Sequence, residues 1–383
     1  MTRVVLAPDS FKGTITAADA AAALADGWAS VDPEAEFVHR PMADGGEGTV
    51  AAFEAAVPGA VRMPVTVDGP AGKPIDTSWL LLPPTQDAPA GTAVVDIGST
   101  SGIELLDELR PWDADTTGFG QAMAAALDHG VSRLVVGIGS SASTDGGTGM
   151  LAALGARFLD ASGAPVARGA RGLADIASVD VSGLRAAPDV RVLTDVTNPL
   201  TGPRGAAAVF GPQKGLRDDD IAFVDGGLRR LAELLGIDPA GQGNGAAGGT
   251  GAALAVWGGT LAPGAAEVAE LIGLADAIAD ADVVITGEGS YDGQSGDGKV
   301  PSFLAGLAAA AGAQAMLAAG RITPDADTAL FAASASLTDL AGSADAALAE
   351  PARWLRDAGA VLARAAHARS ADVPPGHTVR RER

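Results

Sequence analysis

Lysine is rare in this 383-residue chain, and three of the four lysines keep company that could handle phosphate. Lys12, Lys73, Lys214 and Lys299 stand against 22 arginines. Lys12 lies in DSFKG, Lys214 in GPQKG and Lys299 in GDGKVP, whereas Lys73, in the turn GPAGKP, reads as an ordinary surface residue. An ammonium is a compact point charge that reaches between phosphate oxygens, unlike the planar guanidinium. The chain has 52 glycines, and they are densest in five places: DGGEG (44–48), GIGSSASTDGGTG (137–149), TGPRG with GPQKG (201–215), GQGNGAAGGTG (241–251) and GEGSYDGQSGDGK (287–299). Glycine there lets backbone N–H groups approach an anion closely. Carboxylates accompany these turns at Asp9, Asp44, Glu47, Asp145, Asp195, Glu288 and Asp292. The mixture suits phosphoryl transfer: phosphates need cations and amides, Mg²⁺ needs one or two carboxylates, and an acceptor hydroxyl needs a base.

Other chemistries fit less well. The chain has no cysteine, which removes disulfides, thiolate metal sites and cysteine nucleophiles. His39, His129, His367 and His377 show no ligand spacing and none lies in a glycine-rich turn, which disfavours imidazole metal sites and a Ser–His triad. GQSGDGK (293–299) fits GxxxxGK, but Val300 stands where a phosphate-binding loop needs Ser or Thr. The competing signal is GxGxxA at Gly137, Gly139 and Ala142, with Asp160 about where a ribose-binding acid would sit. It defines the alternative function, an NAD-dependent dehydrogenase of a small hydroxy acid. A formal charge of −21 repels phosphodiester backbones and acidic lipid surfaces, so neither nucleic acid nor membrane is an expected partner. Asp9 interrupts the first apolar run too early for a signal peptide, and 303–320 is mostly Ala and Gly, too weakly apolar for a membrane span. A cytoplasmic location is expected.

These residues need a scaffold that gathers turns. Strand-like runs at 4–7, 62–67, 77–82, 93–97, 133–138, 190–194 and 283–286 mostly alternate with helical stretches at 17–29, 119–128, 148–154, 223–235 and 300–311. The alternation predicts an α/β protein with largely parallel sheets, whose ligands bind at the carboxyl ends of strands. Three strand-like runs follow one another between 61 and 97 and predict a local antiparallel or mixed sheet. At roughly 150 residues per domain the length suggests two domains. From Ser370 the sequence SADVPPGHTVRRER has no periodicity, so 370–383 is read as a disordered tail.

Taken together, APDSFKGTITAADAA (7–21), ADGGEGT (43–49), GIGSSASTDGGTGML (137–151), DVTNPLTGPRGAAAVFGPQKG (195–215), GAAGGTGAAL (245–254) and ITGEGSYDGQSGDGKVP (285–301) resemble the type-1 glycerate kinase family. The resemblance runs along almost the whole chain before the tail. One loop departs from the family pattern, which usually reads like GGSATNDGG: Ser140 replaces a glycine, and Ser143 and Thr144 stand where Thr-Asn is usual. The resemblance implies ATP-dependent phosphorylation of D-glycerate with Mg²⁺, with 2-phosphoglycerate favoured over 3-phosphoglycerate. It also implies a flavodoxin-like doubly wound domain, here 1–60 with 281–367, and an inserted restriction-enzyme-like mixed α/β domain, 61–280. Glycerate and ATP are the expected partners, and a homodimer is the assembly to consider.

Roles are then assigned by chemistry. Asp195 ends VRVLTD at a strand end, where its carboxylate could take the hydroxyl proton as general base; the alternative is a turn-capping aspartate bonded to the amides of Thr197 or Asn198. Lys12 and Lys214 would neutralise phosphate or the acid's carboxylate and complete the catalytic set. Asp9, Ser10, Asp145, Asn198 and Arg204 are the expected substrate-binding residues. Gly287, Glu288, Gly289, Asp292, Gln294 and Lys299 would cradle the nucleotide. Asp44 and Glu47 lead the candidates for Mg²⁺, with Glu288 and Asp292 behind them. A third reading, a non-catalytic ligand sensor, leaves the loop carboxylates unexplained.

Overall fold

The computed structural model describes residues 1–46, 48–293 and 299–371. In chain order its strands are β1 (Arg3–Leu6), β2 (Glu36–His39), β3 (Val61–Asp68), β4 (Pro74–Leu82), β5 (Thr92–Asp96), β6 (Arg133–Gly137), β7 (Arg157–Leu159), β8 (Ser178–Asp180), β9 (Asp189–Leu193), β10 (Thr260–Ala262), β11 (Val283–Tyr291), β12 (Gln314–Ile322) and β13 (Ala333–Ser336). Two compact units result: Met1–Met42 with the chain from Ala269 onward, and Ala43–Val268. Both junctions fall earlier than residues 61 and 281, and packing explains why. The helix Thr49–Ala56 lies against β4 and β5 of the second unit, and the helix Leu274–Ala279 lies against the helix Val300–Ala311 of the first.

The first unit carries a five-stranded sheet in the order β13-β12-β11-β1-β2, parallel throughout. Counted within the unit this is the doubly wound order 2-1-3-4-5, which reverses direction between β1 and β11. Parallel strands covered on both faces must be apolar on both. Val4, Leu6, Val283, Ile285 and Met316 pack with the helices Ala17–Ala29 and Pro351–Ala371 on one face. Val5, Val284 and Leu317, which alternate with them, are equally buried and face the other way. Thr16 starts the helix Ala17–Ala29: its Oγ1 accepts the Asp19 N–H at 3.1 Å and donates to Asp19 Oδ2 at 2.8 Å. The last helix continues to Ala371, because Leu355, Ala358, Leu362 and Ala366 form a buried stripe at helical spacing. Ser370 and Ala371 therefore belong to a helix and not to the expected tail, the rest of which lies outside the described residues.

The second unit carries a six-stranded sheet in the order β10-β9-β6-β5-β4-β3. β10, β9, β6 and β5 run parallel, while β4 pairs antiparallel with both β5 and β3. The run of consecutive strands after residue 61 is thus the antiparallel edge of a mixed sheet. β5 is buried along its whole length, and Val136, Val190 and Val192 join Phe119, Met123, Met150 and Leu228 in one core. β7 and β8 form a separate two-stranded hairpin. Among the described residues no helix is long and apolar enough to cross a membrane.

Candidate active site

In the second unit the carboxyl ends of β6, β9 and β10 converge on the turn Asp44-Gly45-Gly46. The approach is so close that side chains are excluded. A Cβ on Gly45, whose φ is +94°, would stand 2.4 Å from the Leu193 carbonyl oxygen at the end of β9. One on Gly139, just after β6, would stand 2.5 Å from the Gly46 Cα, and the Gly139 N–H donates to the Gly45 carbonyl at 2.9 Å. One on Gly264, just after β10, would stand 1.9 Å from the Asp44 carbonyl oxygen. The Gly264 N–H donates to Asp195 Oδ1 at 3.0 Å, and the Asp44 carboxylate accepts the Gly46 N–H at 3.0 Å. Two carboxylates, Asp44 and Asp195, are thereby fixed beside one another. Partial burial raises the Asp195 carboxyl above the ordinary aspartate range; the Gly264 N–H opposes this and the Asp44 charge adds to it. Asp195 nevertheless keeps an exposed face. Its partner is the amide of a residue far along the chain, not Thr197 or Asn198.

The loop after β6 is tied down from within. Asp145 is fully buried and accepts five hydrogen bonds: from Ser143 Oγ (2.9 Å) and Gly147 N (3.2 Å) on Oδ1, and from Thr116 N (3.0 Å), Thr116 Oγ1 (2.8 Å) and Gly149 N (3.2 Å) on Oδ2. It organises the loop and offers no face to a substrate, which corrects its expected binding role. Lys214 is likewise sunk beneath the loop, 3% exposed, donating to Ser141 Oγ at 2.7 Å and to the Ser143 carbonyl at 2.6 Å. Direct neutralisation of a ligand by this ammonium is therefore also corrected. Ser140, the residue found in place of a glycine, has φ of +63°, a conformation that costs a non-glycine residue roughly 1–2 kcal/mol. Its carbonyl accepts the Ile103 N–H at 2.9 Å. The glycine cluster at 241–251 supports the loop, the Gly146 N–H donating to the Gly248 carbonyl at 3.0 Å. Asn198 spends its side chain on its own turn, Nδ2 donating to the Arg204 carbonyl at 2.9 Å, whereas Arg204 is exposed.

The first unit has its own cluster, at the ends of β1 and β11 where the strand order reverses. Asp9 is buried, and its Oδ1 accepts the Ser10 N–H at 2.6 Å while its own N–H donates to the Gly287 carbonyl at 2.8 Å. Lys12 is exposed in the turn that follows, and a Cβ on Gly289 would find ordinary contact at 3.6–3.8 Å with the backbone of Phe11 and Lys12. Gly287, Glu288 and Gly289 are not a loop, as expected, but part of β11, which pairs with β12 as far as Tyr291. Glycine lets the strands press together: a Cβ on Gly320 would stand 2.3 Å from the Gly289 carbonyl oxygen. Lys299 Nζ lies 3.9 Å from Asp292 Oδ1. Gln294 and Glu47 lie outside the described residues.

A model of the glycerate kinase family matches residues 4–367. The chain is 40% identical over 336 residues to a Bacillus subtilis (strain 168) protein named glycerate kinase, covering 84% of this chain and 86% of that one. It is 39% identical over 334 residues to glycerate 2-kinase of Escherichia coli (strain K12), with the same coverage of both. A crystal structure assigned as glycerate kinase 2 from Salmonella typhimurium LT2 matches with a TM-score of 0.82 at 36% identity, covering 97% of this chain and 99% of that one. The chain belongs to the glycerate kinase family. The family is one of enzymes, and its α/β fold of parallel and mixed sheets is the one described above.

In this glycerate kinase family member the dehydrogenase reading loses its support. The Gly139 N–H is already spent on the Gly45 carbonyl, Gly137 lies within β6, and the 44–46 turn sits against both glycines where a pyrophosphate would have to approach. Asp160 follows β7 of the separate hairpin and caps its own turn, accepting from Ser162 and Ala164. A ribose-binding acid belongs instead at the end of a neighbouring parallel strand. Sequence reasoning missed Gly264, Thr116 and Ser141. Gly264 left a usable signal in TLAPGAAE, where a short strand-like run meets Pro-Gly and then a helical pattern. Thr116 and Ser141 left none, since buried hydroxyls have no local signature. Among the described residues no three carboxylate or imidazole groups converge as a metal site. Asp44 nonetheless suits Mg²⁺, which takes one or two carboxylates and keeps several waters; a dication there would also offset the Asp44 charge that adds to the effect of burial on Asp195.

Proposed function

We propose that the protein transfers the terminal phosphoryl group of ATP to a hydroxyl of D-glycerate, forming 2-phosphoglycerate in preference to 3-phosphoglycerate. The observation that carries the chemistry is the anchored pair of carboxylates at the ends of β6, β9 and β10. Gly264 holds Asp195 Oδ1, which leaves Oδ2 to take the proton of the attacking hydroxyl as the new O–P bond forms and ADP departs. Such a base contributes typically ~10²–10⁴-fold. Asp44, with Glu47, would hold Mg²⁺ through water, and the ion when bound neutralises charge on the transferring phosphate. Lys12 supplies an exposed cation for phosphate in the first unit, and Arg204 one for the acid's carboxylate in the second. The family match supports glycerate as the acceptor, and the same reading places the enzyme in the cytoplasm, where ATP is available.

An ATP-coupled assay over small hydroxy acids, with phosphorus NMR of the product, tests this. ATP is consumed only when glycerate is supplied, and the product resonance identifies the 2-phosphate. No turnover on glycerate, with good turnover on another acid, sinks the acceptor while sparing the transfer chemistry. Exclusive formation of the 3-phosphate sinks the regiochemistry alone.

A further inference from the structure

The buried ammonium of Lys214 has no part in the proton transfer above, yet taking a charge out of water is costly and calls for a reason. Its two acceptors, Ser141 Oγ and the Ser143 carbonyl, both lie in the loop after β6. That loop begins at Gly139, whose N–H is bonded to the Gly45 carbonyl one residue from Asp44. It ends on Asp145, which gathers Thr116, Ser143, Gly147 and Gly149. A chain of direct contacts therefore runs from Lys214 through the loop to the Asp44 turn, whose carboxylate bears on Asp195. The charges facing Lys214 are Asp145, which attracts it, and behind Asp145 the buried Asp115, with Arg168 Nε at 3.5 Å from its Oδ2.

On the glycerate kinase reading, we infer that Lys214 is a positioning residue whose ammonium clamps the 139–147 loop so that the Asp44 turn stays aligned with Asp195. A neutral side chain of the same length fills the space but cannot donate to both acceptors or offset the charge of Asp145. Burial lowers the Lys214 pKa to about 7 against the pull of Asp145, so the site disfavours the very charge that the two acceptors and Asp145 favour. An apolar replacement for a buried charge is often neutral or stabilising when its partners remain satisfied. Here the partners sit in the loop itself, so the clamp and not the filling of space is what a replacement loses.

Lys214→Met is expected to keep a cooperative thermal transition, to lower kcat on glycerate at least about 30-fold, and to leave KM for ATP within about twofold. Because the chain has no cysteine, Lys214→Cys creates a single thiol. Alkylation of the unfolded protein with 2-bromoethylamine restores an ammonium at the length of lysine, and 1-bromopropane restores the length alone. Recovery of kcat by the aminoethyl protein and not by the propyl protein supports the clamp; equal recovery by both, or a parental kcat in Lys214→Met, overturns it. Amide hydrogen exchange without substrate gives a readout independent of turnover. Exchange at residues 139–149 and 44–46 is expected to quicken in Lys214→Met and in the propyl protein but not in the aminoethyl protein, and unchanged rates overturn the clamp whatever the acceptor proves to be. A parent inactive on glycerate whose loop still loosens in Lys214→Met would separate failure of the proposed function from failure of the clamp. Should Lys214→Met not fold, Ser141→Ala keeps the lysine and removes one acceptor; a kcat reduced about 3–10-fold with faster loop exchange supports the clamp, and parental values overturn it.

Discussion

At the strand ends of the first unit the cation faces water, whereas at those of the second it is sealed beneath a loop. Lys12 and Lys214 share the same sequence hallmark, a scarce lysine beside glycine, but their surroundings differ: Lys12 is exposed and Lys214 is 3% exposed. The glycines differ in the same way. Gly289 leaves ordinary room beside Phe11, while Gly139 lies hard against Gly46. The first region leaves its cation open to solvent, and the second holds its own carboxylates still. Rigidity and accessibility are thus divided between the two regions.

The contrast can be broken experimentally, beginning where the largest effect is expected. Asp195→Asn should lower kcat by ~10²–10⁴-fold with an unchanged melting transition. The acid limb of kcat/KM in the parent should lie above the ordinary aspartate range, since the base form is lost as pH falls through the raised pKa. The same shift works the other way on stability: the unfolded chain ionises first, so this group's contribution declines as pH rises through the window between the two values. Next, Gly139→Ala should destabilise by roughly 1–3 kcal/mol through overpacking, whereas Gly289→Ala should leave the calorimetric transition where it is. Equal effects of the two would erase the distinction between the regions. Lys12→Ala should lower kcat/KM for ATP about tenfold with no change in melting, as befits an exposed cation worth ~1.4 kcal/mol to a bound phosphate. Smallest, Ser140→Gly should relieve the left-handed strain and raise stability by about 1 kcal/mol, a gain of roughly 2–4 °C.

How much of this could be read from the residues varies by element. The helix at 17–29 and the strand-like runs at 4–7, 133–138 and 190–194 were legible because apolar periodicity and burial agree there. β11 was legible only to residue 286, since GEGSY carries glycines that ordinarily break strands; close pressing against β12 overrides that preference. β7 and β8 escaped notice because a three-residue strand offers no period to read. The placing of Asp195 at a strand end followed from VRVLTD, but its anchor, Gly264, comes from 69 residues further on. The burial of Lys214 and Asp145 was invisible for the same reason: charged residues in glycine-rich turns look solvent-facing until distant segments close over them.

The division of the chain also bears on its birth at the ribosome. β1 pairs with β11, so the first unit cannot complete its sheet until everything from Ala43 to Val268 has been made. At ~5–20 residues per second that interval is roughly ten to forty-five seconds, during which the Val4 and Val5 edge of β1 has no neighbour on that side. The inserted unit, contiguous in the chain, can collapse meanwhile. The nascent chain should therefore acquire its protease-resistant middle before its ends, and the exposed β1 edge is where a holding chaperone would be expected to bind.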